Sequence, residues 1–202
     1  MFISFEGIDG CGKTTQLELL AENLIKKGYQ VLKLREPGGT DLSEKLREIL
    51  LNSKEEISSI TELFLFEAAR SHLVHSVIKP ALSAGKIVIT DRFYDSTTAY
   101  QGYGRGLDIK LIEKFNLTAA DSVIPDLTFY LDVPYQTACQ RSTSRVYDRI
   151  ESSGEEFFNK VINGFREIAI QNSERVKLID AAGEIIQTQN TILDYVLKLL
   201  KK

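Results

Sequence analysis

Gly7, Gly12, Lys13 and Thr14 stand within FEGIDGCGKTTQ (5–16) at the spacing G-x-x-x-x-G-K-[ST]. Backbone N–H groups of such a loop, at the start of a helix, converge on an anion, and the glycines admit it without Cβ clashes. Lys13 adds a point charge near a phosphate to be transferred, and the Thr14 hydroxyl suits a Mg2+ ligand. The run Gly7, Ile8, Asp9, Gly10, Cys11, Gly12, Lys13, Thr14 and Thr15 is therefore read as the nucleotide-phosphate site. Asp9 is its unexpected member, a carboxylate in a loop built to attract anions, and an Asx turn that shapes the loop is one account of it. Asp91 ends the apolar run KIVITD (86–91). Ligands commonly meet the carboxyl ends of a parallel sheet, so Asp91 is expected to share Mg2+ with Thr14 rather than only to cap the next segment.

The elements that must hold these residues follow from periodicity. FISF (2–5) is a short apolar strand before the loop, and a helix runs from Lys13 to Lys27, where Gly28 stops it. QVLKL (30–34) reads as a second strand, REPGGT as a turn, and 42–51 as a helix. A long helix is expected over 61–84, with Pro80 near its end, then the strand 86–91 and helices between 95 and 120. DLTFYLDV (126–133) and RVKLID (175–180) supply two more strands. Phe158, Val161, Ile162, Phe165 and Ile168 mark a helix between them, and Ile185, Ile192, Val196 and Leu199 a terminal one. Repeated β-then-α order predicts an α/β fold, a mostly parallel sheet covered by helices on both faces, as a single domain over 1–202. RSTSRVYDRIESSG (141–154) breaks the apolar periodicity and reads as a mobile loop carrying Arg141, Arg145 and Arg149.

A formal charge of -3 over 202 residues offers no broad basic face for nucleic acid or anionic membrane. The longest apolar runs are too short to span a bilayer, and MFISFEG lacks the basic and apolar regions of a signal peptide, so a cytoplasmic location is expected. Cys11 and Cys139 form neither a disulfide framework nor a metal motif. A nucleotide-driven switch and a phosphoryl-transfer enzyme both fit the loop. The chain has no NKxD guanine-reading motif, and a small-molecule kinase fits better. Such an enzyme holds two anions in line and neutralises the moving phosphoryl group, so arginines are expected outside the loop.

The set FEGIDGCGKTTQ, REPGGT, LFEAAR, DRFYDSTTAYQGYGRG, PDLTFYLDV and DRIE resembles the bacterial thymidylate kinases along nearly the whole chain. The resemblance implies a P-loop kinase fold with a five-stranded parallel sheet, transfer of the ATP γ-phosphoryl to dTMP with Mg2+, and a homodimer. It implies that Asp9 accepts a hydrogen bond from the 3′-hydroxyl of the acceptor sugar. Arg35, Arg47 and Arg92 match positions around the dTMP phosphate, where guanidinium forks bind oxygens bidentately. Phe66 and Arg70, one helical turn apart, match an aromatic plate under thymine and a guanidinium at its polar edge. Thr97, Tyr100 and Gln101 match the base and sugar wall, with Tyr100 crowding a ribose 2′-hydroxyl. Cys11 stands where another class of these kinases carries arginine, which points to the class with a catalytic arginine in its lid. Lys13, Arg92, Arg145 and Arg149 are the implied catalytic cations, with Arg141 a further lid candidate, and IDAAGE (179–184) is positioned for backbone contacts to adenine.

Overall fold

The computed structural model describes residues 1–142 and 148–201. Strands β1 (Phe2–Glu6), β2 (Val31–Arg35), β3 (Ile87–Asp91), β4 (Leu127–Asp132) and β5 (Val176–Asp180) form one sheet in the order β2-β3-β1-β4-β5. Every pairing is parallel. The five strands meet the sequence expectation with end shifts of at most one residue. One matters: β2 extends to Arg35, which pairs in register with Asp91.

Parallel strands need long crossovers, and helices supply them. Helix α1 (Lys13–Lys26) follows β1, and α2 (Asp41–Asn52) and α3 (Ser59–Leu73) follow β2. Thr40 and Ser58 cap α2 and α3 by accepting from Ser43 and Thr61 N–H groups. The long helix expected over 61–84 therefore begins at Ser59. It is also interrupted: a π-helical turn, Val74–Ile78, separates α3 from α4 (Lys79–Ser83). After β3, α5 (Tyr94–Thr97) runs into a second π-helical segment, Thr98–Gly104, and then α6 (Ile109–Ala119). Such segments displace side chains from the α-helical register, which periodicity in sequence does not reveal. Helices α7 (Tyr135–Arg141), α8 (Glu155–Gln171) and α9 (Ile185–Leu200) complete the order.

Alternation along the strands assigns the two faces. Phe2 and Val88 pack with Leu73, Val74 and Ile78 from the α3 side. Ile3, Phe5 and Ile89 join Leu17, Leu20 and Leu24 of α1 and Ile192 and Val196 of α9. The α8 residues read from the sequence as one apolar face are all buried. On the Phe2 face the strand interior is polar. Ser4 Oγ bonds Thr128 Oγ1 at 2.8 Å, and Arg175 clamps Asp95 of α5 at 2.6 and 3.0 Å. This link ties the outer strand to the segment that carries Arg92 through Gln101. Since β1 lies between β3 and β4, the chain leaves the two central carboxyl ends in opposite directions and opens a crevice there.

Candidate active site

The loop after β1 closes on itself. Gly7, Gly10 and Gly12 have φ of 136°, 82° and 100°, in the region that side chains rarely enter. At Gly10 space is also decisive, because a Cβ there would lie 2.3 Å from the Ala138 carbonyl oxygen of α7. Lys13 Nζ donates to the carbonyls of Gly7 and Ile8, both at 3.1 Å, and lies 3.7 Å from Asp9. Burial pushes the Cys11 thiol up, so Cys11 fills space rather than serving as a nucleophile. Thr14 Oγ1 donates to Asp91 Oδ2 at 2.9 Å, joining the two expected metal ligands. Among the described residues no cluster of three or more His, Cys, Asp or Glu could hold an ion. One hydroxyl and one carboxylate are hard oxygen donors, and they fit Mg2+, which takes its remaining ligands from phosphate and water.

Two of the cavities that open from this loop gather the expected site residues. One lies between Asp9–Gln16, Asp91, Arg141, Ser142 and the Ala181–Ile185 turn after β5. Arg141 crosses it, donating to the carbonyls of Ala181 and Ala182 at 2.9 and 3.0 Å. The IDAAGE segment thus lies beside the phosphate loop. The other cavity is lined by Asp9, Arg47, Phe66, Arg70, Arg92, Thr97, Tyr100 and Gln101, together with Glu36 and Ser96. Eight of the nine expected acceptor residues therefore converge on one space. Arg35 is the exception: both of its contacts to Glu44, at 3.0 and 2.9 Å, hold it outside this cavity, on the β2 rim.

Asp9 and Arg92 join the two cavities, with Arg92 Nη2 3.1 Å from Asp9 Oδ1. Arg92 also donates to Gly7 O at 2.8 Å, Ser96 Oγ at 3.1 Å and Tyr100 Oη at 3.2 Å. Its backbone φ of 72° is a left-handed conformation, which costs a non-glycine residue roughly 1–2 kcal/mol. Burial opposes its charge, but Tyr100, Asp9, Asp91 and Glu6 outweigh burial and hold it firmly protonated. Arg47 donates to Pro37 O at 3.0 Å. Its pKa is lowered by burial and then by Arg35, with Arg92 adding to the effect. Cations crowded in this way favour an anion between them. Tyr100 packs edge-on against Phe157, Phe158 and Phe165 of α8.

Arg70 is fully buried, and its guanidinium donates to Glu36 at 2.8 Å, Glu67 at 3.0 Å, Asn116 at 3.4 Å and Thr97 at 3.0 Å. Of the five N–H donors of an arginine, one on Nη2 remains for a ligand. Glu36 and Glu67 each keep an unpartnered Oε1. Burial, against the pull of Arg70, raises the Glu36 carboxyl to about 7 and the Glu67 carboxyl in the same direction. Neither acid is marked as a site residue by the sequence, and nor are Glu6, Glu62 and Arg105. Glu62 is buried, yet Arg105, Gln101 and Arg149 overcome its desolvation and lower its pKa. Arg149 Nη2 reaches it at 2.6 Å while Arg149 Nε donates to Leu50 O at 2.8 Å. Arg149 therefore anchors the loop to α2 and α3 and lines neither cavity. Arg145 lies outside the described residues. The only sequence signal for Glu62 was an acid one turn before Phe66, which does not separate a buried anchor from a solvated face.

The thymidylate kinase family model matches residues 5–192. A thymidylate kinase of Prosthecochloris aestuarii is 53% identical over 194 residues, covering 91% of this chain and 87% of its own. One of Thermoanaerobacter sp. (strain X514) is 45% identical over 199 residues, covering 98% of each chain. The crystal structure of thymidylate kinase from Ehrlichia chaffeensis superposes with a TM-score of 0.77 at 41% identity, covering 99% of this chain and 98% of that one. The architecture is the P-loop kinase fold.

The buried acids give stability a definite pH dependence. Between the ordinary carboxyl range and about 7 the folded chain holds a proton on Glu36 that the unfolded chain has released, so stability falls as pH rises through that window. Glu6, raised to about 8 by burial, adds to the same slope, so urea unfolding should lose at least about 3 kcal/mol from about pH 5 to about pH 8, and Glu36→Gln should reduce the slope without removing it. A wild-type stability that climbs over this interval would contradict the assignment.

Proposed function

The chain belongs to the thymidylate kinase family, and from that premise we propose how its residues divide the transfer of the ATP γ-phosphoryl group to dTMP, giving ADP and dTDP. The observation that carries the division is the meeting of two cavities at Asp9 and Arg92. ATP phosphates lie over the loop N–H groups, with the purine beside Arg141 and the Ala181–Ile185 turn that it clamps. Lys13 leaves its loop carbonyls for the transferred phosphate, a short movement for a flexible ammonium. Thr14 and Asp91 hold Mg2+, which when bound supplies positive charge to the polyphosphate.

On the acceptor side Arg92 and Arg47 take the dTMP phosphate, and Asp9 accepts the 3′-hydroxyl. Phe66 lies under thymine, the free Arg70 Nη2 hydrogen meets a carbonyl of the base, and Thr97 and Gln101 border the ring. Gln101 is oriented by donating to Glu62 at 2.8 Å. Tyr100, backed by three phenylalanines, has no room to yield to a 2′-hydroxyl. In-line positioning and charge neutralisation are what phosphoryl transfer asks of a protein. Arg145 and Arg149 remain the proposed lid cations, with Arg149 acting first as the anchor of that loop.

We place the enzyme in the cytoplasm, a reading supported by two free cysteines. Among the described residues, no helix is long and apolar enough to cross a membrane. We also propose a homodimer. Ile60 and Phe64 of α3 and Leu111 of α6 are exposed on adjoining helices, where Phe64 packs edge-on against Phe115 at 5.3 Å. An apolar surface of this kind marks an interface.

An ADP-release assay with ATP, Mg2+ and dTMP, dUMP, dCMP, dGMP, AMP or UMP tests the activity. dTMP should be preferred, with some dUMP turnover, because a methyl group is worth only roughly 1–3 kcal/mol in an apolar pocket. Release without an acceptor would mark an ATPase instead. Asp9→Ala should cut kcat/KM for dTMP about a hundredfold while ATP affinity stays within about threefold, and equal losses would remove Asp9 from the acceptor side. For the dimer, Phe64→Asp should shift sedimentation from two copies to one, and a monomeric wild type would refute it.

A further inference from the structure

Glu6 is the last residue of β1 and is completely buried, yet no step of the transfer calls on it. Burying a carboxyl is expensive unless both oxygens are used. Here they are: Oε1 accepts the Phe93 N–H at 2.7 Å and Oε2 pairs with the Ser96 hydroxyl at 2.5 Å. Both partners bear on Arg92. The Phe93 N–H belongs to the peptide that follows Arg92, whose φ of 72° needs outside support. Ser96 Oγ in turn accepts from Arg92 Nη1 at 3.1 Å. One side chain therefore grips the backbone of Arg92 on one side and its guanidinium, through Ser96, on the other. Phe93 is the N-cap of α5 and makes no side-chain cap bond, so the strand residue supplies what the local sequence lacks.

We propose that Glu6 is a positioning residue of the acceptor half-site, fixing the Arg92 guanidinium at the phosphate of the nucleoside monophosphate through Ser96 and the Arg92–Phe93 peptide. The inference rests on the acceptor reading given above, in which Arg92 meets that phosphate. Glu6 lies behind Arg92, on the α5 side of the sheet, and touches neither substrate. Removing its carboxylate should leave the ATP half-site intact, because that carboxylate bonds Phe93 and Ser96, while Lys13 and Thr14 take other partners.

A phosphate-dependent defect separates this role from a merely structural one. Glu6→Leu removes both acceptors at similar size, and Ser96→Ala breaks only the link to the guanidinium, so the second variant decides the matter if the first fails to fold. Calorimetric titration with dTMP, thymidine and ATP, with kcat and KM for dTMP alongside, is the test. Both variants should bind dTMP about tenfold more weakly, while thymidine, which lacks the phosphate, and ATP stay within about twofold. Unchanged dTMP affinity in the folded variants, or equal losses for dTMP, thymidine and ATP, would overturn the proposal. Wild-type turnover of dTMP in the same series tests the acceptor reading separately. If that turnover is present and the variants bind normally, only the role of Glu6 fails; if it is absent, the reading and the proposal fall together.

Discussion

The Asp9–Arg92 ion pair, 3.1 Å long, is the contact on which the rest of the site depends. It joins the loop after β1 to the turn after β3, and these can meet only because the strands pair in register, Phe5 beside Asp91. Arg92 also donates to Gly7 O, so the acceptor-side cation is fastened to the backbone of the donor loop. A bulkier residue at Gly7 would strike Cys11 Sγ and Leu131 O, each 2.8 Å from its Cβ. Geometry on one side of the transfer is therefore not independent of geometry on the other.

Around this pair the protein uses buried ionic groups where hydrophobic ones would cost less. Arg70 sits among Glu36, Glu67 and Asn116, and Glu62 collects Arg105, Gln101 and Arg149. Buried ion pairs contribute little net stability against well-packed apolar residues. Their gain here is orientation. A guanidinium with all but one donor engaged can present that donor to a ligand in only one direction, and Gln101 is turned by the same carboxylate that anchors the 149 segment.

Much of this was legible in the sequence because the signals are local. The glycine spacing, the strand before it and the helix after it identify a phosphate loop without help from distant residues. Asp91 was legible as an acid at a strand end, and Phe66 and Arg70 as a pair one helical turn apart. What was not legible depends on partners far along the chain. Glu6 meets Ser96 across 90 residues and Arg149 meets Glu62 across 87, and in sequence each acid reads as an ordinary surface charge. Arg35 shows the converse. Its strand was placed one residue short, and a nearby acid, Glu44, takes its guanidinium away from the cavity. The π-helical segments at Val74–Ile78 and Thr98–Gly104 escaped for a different reason, since a fifth-residue turn leaves no mark in apolar spacing.

If the two half-sites are one mechanical unit, Asp9 and Arg92 must be energetically coupled in the chemical step. A double-mutant cycle of Asp9→Asn and Arg92→Lys, read by single-turnover transfer from ATP to dTMP, measures that coupling. An interaction of at least about 1 kcal/mol is expected, the double variant losing less than the two single losses combined. Strict additivity would contradict it.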